Sequence, residues 1–336
     1  MLQFLIFIIL AVLSAIGVFL AGRYAERRQV IAHPTRESSH SVPIPQGGGL
    51  AIVFLVLVTG VCVGAEAGWN RSLVYLVLGA VMAWIGWRDD VHSLPASYRF
   101  IVQGLVAAVS MFGFGYFKVV TIPLFGDLNL GIVGVGITFL WIVGMINAYN
   151  FMDGIDGMAG GVALAGGLGW MMLAFNVHNN FVFWIALATA ASSLGFLWHN
   201  WSPAKIFMGD VSSTFLGYTF AVLPLLSSDQ GGDALLLGTL IMWLVIADPF
   251  FTFLQRLLKG DNILARHRMH VFTRLVAGGY KHTTVSSLYI ALTLLAGVLA
   301  YFLSRGEDVV QPLVIVGLPL IWIWMSVYAA RLKNDK

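Results

Sequence analysis

Uncharged apolar runs near or above 18 residues recur along this 336-residue chain from one end to the other. As a helix, a run of that length crosses the ~30 Å hydrocarbon core of a bilayer. Lipid admits only structures that satisfy every backbone N–H and C=O internally. The composition agrees: 59% of residues are hydrophobic and 10% charged, against roughly 45–50% apolar in soluble domains. The chain therefore reads as an all-α polytopic membrane protein, with a single domain over 1–336 and no soluble-domain-sized or low-complexity insert. About eleven spans are predicted, near 2–21, 48–65, 72–87, 100–117, 132–149, 159–176, 181–198, 213–228, 234–257, 284–303 and 310–330. The first run lacks the basic start of a cleaved signal peptide, so it is expected to remain as a span.

Basic residues orient these spans. With eleven crossings, 16 of the 19 Lys and Arg residues fall on one side; Arg71, Lys118 and Arg305 fall on the other. The positive-inside rule then puts the N-terminus outside and the C-terminus in the cytoplasm. The cytoplasmic loops are about 22–47, 88–99, 150–158, 199–212 and 258–283. The single cysteine, Cys62, excludes an intramolecular disulfide. A balance of 19 basic to 16 acidic residues is ordinary for a membrane protein and gives no footprint for nucleic acid.

Three acidic clusters stand where apolar runs stop, and all fall on the cytoplasmic side. Asp89-Asp90 is a pair of repelling carboxylates, tolerated where a cation neutralises them. Ser93 replaces the third acid that a soluble prenyl-transferase pattern requires. The stretch Asn147-Ala148-Tyr149-Asn150-Phe151-Met152-Asp153-Gly154-Ile155-Asp156-Gly157 sets two Asn at i,i+3 before two Asp-Gly turns. Gly154 and Gly157 let backbone approach a ligand closely. A CDP-alcohol phosphotransferase would need Ala-Arg and further spaced acids where Gly160-Gly161 stands, so that pattern fails. The third stretch runs from His199 and Asn200 through Lys205 and Phe207 to Asp210. It suits a nucleoside diphosphate: Asp210 for Mg²⁺, Lys205 for phosphate, Phe207 to stack on a base.

Cationic donors complete the set. Arg266, His267, Arg268 and His270 crowd the loop before the tenth span, where phosphate binding fits better than a second metal. Arg99 and His40 are further substrate-binding candidates on the same side. Asp248 lies inside the ninth span, where a carboxylate is either functional or paired with another helix. The Gln46-Gly47-Gly48-Gly49 turn also falls on this face. Polar motifs converging on one membrane face describe an interfacial enzyme site with a soluble substrate.

Taken together, these motifs resemble those of the polyprenyl-phosphate N-acetylhexosamine-1-phosphate transferases. The resemblance runs over essentially the whole chain, through Pro43–Gly49, Asp89-Asp90, Asn150–Gly157, Phe207–Asp210, Asp248–Arg256 and the His loop. It implies Mg²⁺ on Asp210, with Mn²⁺ as a substitute. It implies that Asp89 and Asp90 handle the lipid phosphate and its proton, and that Asn147, Asn150 and Asp153 line the diphosphate site. Asp156 and Phe207 match positions that hold uracil, and Asn200 another polar position of the site. The family's His-x-His-His reads His267-Arg268-Met269-His270 here, which leaves both histidines as candidates. The triple-His run and Lys-containing first loop of the muramyl-pentapeptide translocases are absent, while Arg36-x-Ser38-Ser39-His40 looks like the O-antigen-initiating subgroup.

The implied reaction joins a UDP-N-acetylhexosamine, such as UDP-GlcNAc or UDP-FucNAc, to undecaprenyl phosphate and releases UMP. Its setting is the bacterial inner membrane, and a homodimer is compatible with it. The rival reading is a transporter or flippase of lipid-linked sugars, which would place its polar site near the bilayer midplane.

Overall fold

The computed structural model describes residues 1–34, 42–227, 233–259 and 270–332. Its helices are α1 (Leu2–Arg28), α2 (Leu50–Cys62), α3 (Trp69–His92), α4 (Ala96–Phe114), α5 (Val133–Phe151), α6 (Met158–Asn176), α7 (Asn180–Asn200), α8 (Asp210–Ser227), α9 (Ala234–Ile241), α10 (Trp243–Lys259), α11 (Val271–Ala277), α12 (His282–Ser304) and α13 (Leu318–Arg331). Two short antiparallel pairs join them: β1 (Ile31–Ala32) with β2 (Ile44–Pro45), and β3 (Val119–Ile122) with β4 (Gly126–Asn129). Every predicted span falls on a helix or a broken pair of helices.

Among the described residues, seven helices are each long and apolar enough to cross a membrane: α1, α4, α5, α6, α7, α12 and the segment ending in α13. The molecule is an all-helical polytopic membrane protein. The span expected at 234–257 is instead a pair, α9 and α10, bent by 78°. The bend turns α10, and Asp248 with it, toward α11 and α12.

The centre of the bundle is α8. Every residue from Val211 to Leu226 is buried, as expected of a helix that is apolar on all sides. Two of its hydroxyls find partners on neighbouring helices: Thr219 with Tyr75 of α3 at 3.1 Å, and Tyr218 with Ser110 of α4 at 3.4 Å. α6 and α7 approach closely through small residues, the usual device where lipid supplies no hydrophobic drive. A Cβ on Gly167 would stand 2.9 Å from backbone atoms of Ala186 and Ala190. The outer faces of α1, α4 and α13 carry exposed Leu, Ile, Phe and Trp side chains, as a lipid-facing surface requires.

Asp89 and Asp90 were expected in a loop at 88–99. They stand instead in the last turns of α3, and the turn to α4 is only Ser93 to Pro95. The helix closes where Ser93 takes a left-handed conformation (φ 47) and its N–H donates to the Asp89 carbonyl at 2.9 Å.

Candidate active site

The site begins at the start of α8. Gly209, at φ +80, turns the chain into the helix. The residues before it dock on the glycine-rich turn after β2. Phe207 N–H donates to Pro45 O at 2.9 Å, Gly48 N–H to Phe207 O at 2.9 Å, and Gly49 N–H to Met208 O at 3.0 Å.

The first N–H groups of a helix lack partners within it and carry partial positive charge. Here Asp90 supplies the partner from another helix. Its Oδ1 accepts the Asp210 N–H at 2.8 Å and its Oδ2 the Val211 N–H at 3.1 Å. Gln46 Nε2 donates to the same Oδ1 at 2.6 Å. α3 can come this close because Gly86, one turn before Asp90, has no side chain. A Cβ there would lie 2.1 Å from the Asp210 carbonyl oxygen. Asp90 thus fixes the place of Asp210 within the site.

The Asp210 carboxylate is held from two sides. Asn150 Nδ2 donates to its Oδ1 at 2.9 Å and to Ser213 Oγ at 3.0 Å. Arg99 Nη1 stands 3.5 Å from its Oδ2 and 2.6 Å from Asp89 Oδ2, so one guanidinium bridges the two acids. Asp89 Oδ1 also accepts the Leu94 N–H at 2.6 Å. Asn147 and Asn150, expected to work together, diverge. Asn147 donates to Gln103 of α4 at 2.7 Å and to the Val143 carbonyl at 2.8 Å, bracing α4 against α5.

Asp153 faces the same centre and accepts the Gly209 N–H. Burial, with the nearby Asp90 charge, pushes its carboxyl up to about 8. Asp156 behaves oppositely. Burial opposes its charge, but hydrogen bonds from His282, Ser202 and the Ala204 N–H outweigh it and hold the carboxyl below its usual value. His282 Nδ1 lies 3.4 Å from Asp156 Oδ2, and Ser286 Oγ donates to the Asp156 carbonyl at 2.7 Å.

The remaining candidates are spread around this centre. Asn200 is 2% exposed; it accepts the Gly157 N–H and donates to Ile206 O, each at 2.9 Å. Its amide ties two loops together at the polar position that the resemblance implied. Phe207 is half-buried and Lys205 exposed on the approach to α8. His270 is buried, its ring centroid 5.6 Å from that of Phe151. His40, Arg266, His267 and Arg268 lie outside the described residues.

Gln103, Ser213 and His282 were not among the candidates, and Gln46 entered only as part of the glycine-rich turn on this face. Of the first three, only Gln103, polar within an apolar span, carried a sequence signal of its own.

Asp89, Asp90, Asp153 and Asp210 therefore crowd one end of the bundle, with Arg99 as the cation paired to Asp89 and Asp210. Such a cluster calls for further positive charge. Among the described residues no three His, Cys, Asp or Glu side chains form a complete metal cage. Mg²⁺ binds through one or two carboxylates and completes its shell with water and phosphate oxygens. Asp210, with hard oxygen donors and the side-chain oxygens of Asp89 close by, fits that role.

Comparison with known proteins places this geometry in a family. Residues 72–228, which contain most of these side chains, match the model for glycosyl transferase family 4. The chain is 30% identical over 318 residues to a probable undecaprenyl-phosphate N-acetylglucosaminyl 1-phosphate transferase of Bacillus subtilis, covering 94% of this chain and 88% of that protein. It is 27% identical over 304 residues to the undecaprenyl-phosphate alpha-N-acetylglucosaminyl 1-phosphate transferase of Escherichia coli, covering 85% and 79%. A phospho-N-acetylmuramoyl-pentapeptide-transferase of Chlamydia muridarum matches at 33%, over only 54% of this chain and 61% of its own. The chain belongs to glycosyl transferase family 4, as a member of the polyprenyl-phosphate N-acetylhexosamine-1-phosphate transferases.

Proposed function

We propose that this protein transfers N-acetylhexosamine 1-phosphate from a UDP-sugar to undecaprenyl phosphate, releasing UMP and leaving undecaprenyl-diphosphate-N-acetylhexosamine. The sugar is GlcNAc or a 6-deoxy relative such as FucNAc or QuiNAc. The product starts an O-antigen or another cell-surface polysaccharide. The observation that carries this reading is the meeting of Asp89, Arg99, Asn150, Asp153 and Asp210 at one end of an apolar bundle. A soluble diphosphate and a membrane-bound phosphate can meet there.

In this reading the chain crosses the inner membrane eleven times, with the site in the cytoplasm. The ends of α1 and α3 and the starts of α4 and α12 lie at the site, with Arg27, Arg28, Arg88 and Arg99. Arg71, Lys118 and Arg305 sit at the far ends of those helices or beyond. This is the charge split that the positive-inside rule favours.

An oxygen of the lipid phosphate attacks the sugar-bearing β-phosphorus. The bond between the two phosphorus centres through oxygen breaks, and UMP departs with that oxygen. The difficulty is electrostatic, so neutralisation and positioning supply most of the catalysis. Mg²⁺ on Asp210 would neutralise diphosphate oxygens and polarise the phosphorus. Arg99 offsets charge beside it, Asn150 aims the Asp210 carboxylate, and Asp90 fixes the helix start that carries it. In this reading Asp89 receives the lipid phosphate's proton, and Asp153, which keeps its own proton up to about 8, hydrogen-bonds a phosphate oxygen. Asp156, kept as an acceptor by its three donors, and Phe207 hold the uracil. Lys205 and the Arg266–Arg268 stretch add positive charge for phosphate.

A flippase would need its polar centre at midplane depth, whereas these carboxylates stand at helix ends. Release of UMP from UDP-GlcNAc by the purified protein, dependent on undecaprenyl phosphate and Mg²⁺, tests the reading. Asp210→Asn is expected to lower it by about a hundredfold or more while the protein stays folded. Unchanged turnover in that variant, or no UMP from the native protein with any UDP-N-acetylhexosamine, would overturn it.

A further inference from the structure

α6 is buried through its first half, but its second half leaves an apolar face without protein cover. Leu168, Met171 and Met172 are only half-buried, and Phe175 is exposed. Their i, i+3, i+4, i+7 spacing puts them on one side of the helix. With Phe4 of α1 and Phe183 of α7 they line a cleft of about 640 Å³, the size of a small-molecule site. α6 and α12 meet at Gly169 and Gly297, where a Cβ on Gly169 would stand 3.2 Å from the Gly297 Cα. One turn beyond, Tyr301 of α12 forms the edge of the cleft. Just past it, Asn176 Nδ2 donates to Ser304 Oγ at 3.2 Å.

That edge is charged. Arg305 Nη1 donates to the Tyr301 hydroxyl at 3.1 Å, and the guanidinium carbon stands 5.8 Å from the centre of the Tyr301 ring. Arg305 is exposed, so its remaining N–H groups are open to a ligand. Glu307 stands within electrostatic reach of the same guanidinium. A positive and a negative group therefore share the mouth of an apolar cleft. Arg305 is also one of the three basic residues expected on the side of the membrane that disfavours them. The carboxylates of the active site lie at the opposite end. α12 starts at His282, beside Asp156, and its 23 residues run about 35 Å to Arg305. A lipid whose phosphate sits at the active site cannot bring that phosphate to Arg305.

We propose that this cleft binds one zwitterionic phospholipid from the leaflet opposite the active site, with an acyl chain against Leu168, Met171 and Met172, the headgroup phosphate on Arg305 and the headgroup ammonium on Glu307. Guanidinium matches phosphate in both shape and charge. Tyrosine belongs at the depth where headgroups meet hydrocarbon. Met side chains adapt to a flexible chain. The primary ammonium of phosphatidylethanolamine donates hydrogen bonds to a carboxylate such as Glu307. Phosphatidylcholine has no N–H to give, and phosphatidylglycerol has no cation. The site stands independently of the transferase reading.

Native mass spectrometry of the purified full-length chain in detergent is the test, with phosphatidylethanolamine, phosphatidylcholine and phosphatidylglycerol offered in equal amounts. One phosphatidylethanolamine is expected to stay bound, favoured about tenfold over phosphatidylglycerol, the scale of one charge-assisted contact. Arg305→Gln should weaken retention of phosphatidylethanolamine about tenfold. Glu307→Gln should abolish the preference for phosphatidylethanolamine while lipid still binds. Both side chains are exposed, so neither change threatens the fold. Met171→Trp, which adds bulk inside the cleft, should release the lipid; if that variant fails to fold, the two exposed variants decide. Unchanged retention in Arg305→Gln, or a preference of the unsubstituted protein for phosphatidylglycerol, would overturn the proposal. Displacement of the bound lipid by undecaprenyl phosphate would overturn it too, and would assign the cleft to the acceptor instead.

Discussion

Gly86→Ala tests how the site is held together, without touching any charged group. The added Cβ would stand 2.1 Å from the Asp210 carbonyl oxygen, 2.4 Å from its carbon and 2.6 Å from the Val211 nitrogen. All three are backbone atoms, so no rotamer change relieves the clash. Ordinary contact begins at 3.4 Å, so α3 and the start of α8 must part by about 1.3 Å. The Asp90 hydrogen bonds to Asp210 and Val211, now 2.8 and 3.1 Å, would then exceed hydrogen-bonding range. Overpacking costs about 1–3 kcal/mol, and each hydrogen bond to a charged group contributes about 1.5–3 kcal/mol. A loss of at least ~3 kcal/mol in stability is expected. A shift of about 1 Å at Asp210 should also lower kcat by about a hundredfold. Gly144→Ala is the control, since a Cβ there meets nothing within 4 Å. Thermal melting in detergent and UMP release measure the two effects. A Gly86→Ala protein that melts and turns over like Gly144→Ala would refute the claim that close packing of α3 on α8 places Asp210.

Other outcomes follow from the same geometry. Arg99→Lys should lose at least about tenfold in turnover, because one ammonium cannot span Asp89 and Asp210 as the planar guanidinium does; full activity would show that the bridge is dispensable. Asp153, raised from 3.8 to about 8, keeps in the folded state a proton that the unfolded chain releases. Its contribution therefore makes the metal-free protein less stable as pH rises from about 4 to about 8; melting curves of Asp153→Asn should show a flatter fall, and an identical slope would refute the shift. UDP-MurNAc-pentapeptide should not be used, since Met269 stands where the family's His motif has a third histidine; efficient transfer from it in a radiolabel assay would refute that reading of the sugar.

The helical bundle could be read in the sequence because lipid demands long apolar helices and leaves few alternatives. Each apolar run became a helix or a broken pair of helices, and the acidic motifs met at one end of the bundle. The roles inside the site were less legible. Asp90 looks like Asp89 in the sequence, yet it caps α8 and Asp89 pairs with Arg99. That difference depends on the closeness that Gly86 permits, a tertiary fact. Asn147 and Asn150 share a helix face, but one meets α4 and the other α8. Asp248 resembled a site residue because an intramembrane acid is costly. Its partners, the Val271 and Phe272 N–H groups, the Tyr289 hydroxyl and the nearby His270 ring, come from two other helices and a loop that no local pattern links to it. The β3–β4 hairpin lay in a loop whose β-branched Val119-Val120-Thr121-Ile122 run was too short to stand out among apolar spans.

The central claim concerns which bond breaks. UDP-GlcNAc labelled with ³²P in the β-phosphate, incubated with the purified protein, undecaprenyl phosphate and Mg²⁺, distinguishes the alternatives in one separation. If the site transfers a sugar 1-phosphate, the label moves into the lipid fraction and unlabelled UMP remains in the aqueous phase. If the label stays in the aqueous phase as UDP while the sugar reaches the lipid, the protein transfers sugar alone and the account of its site is wrong.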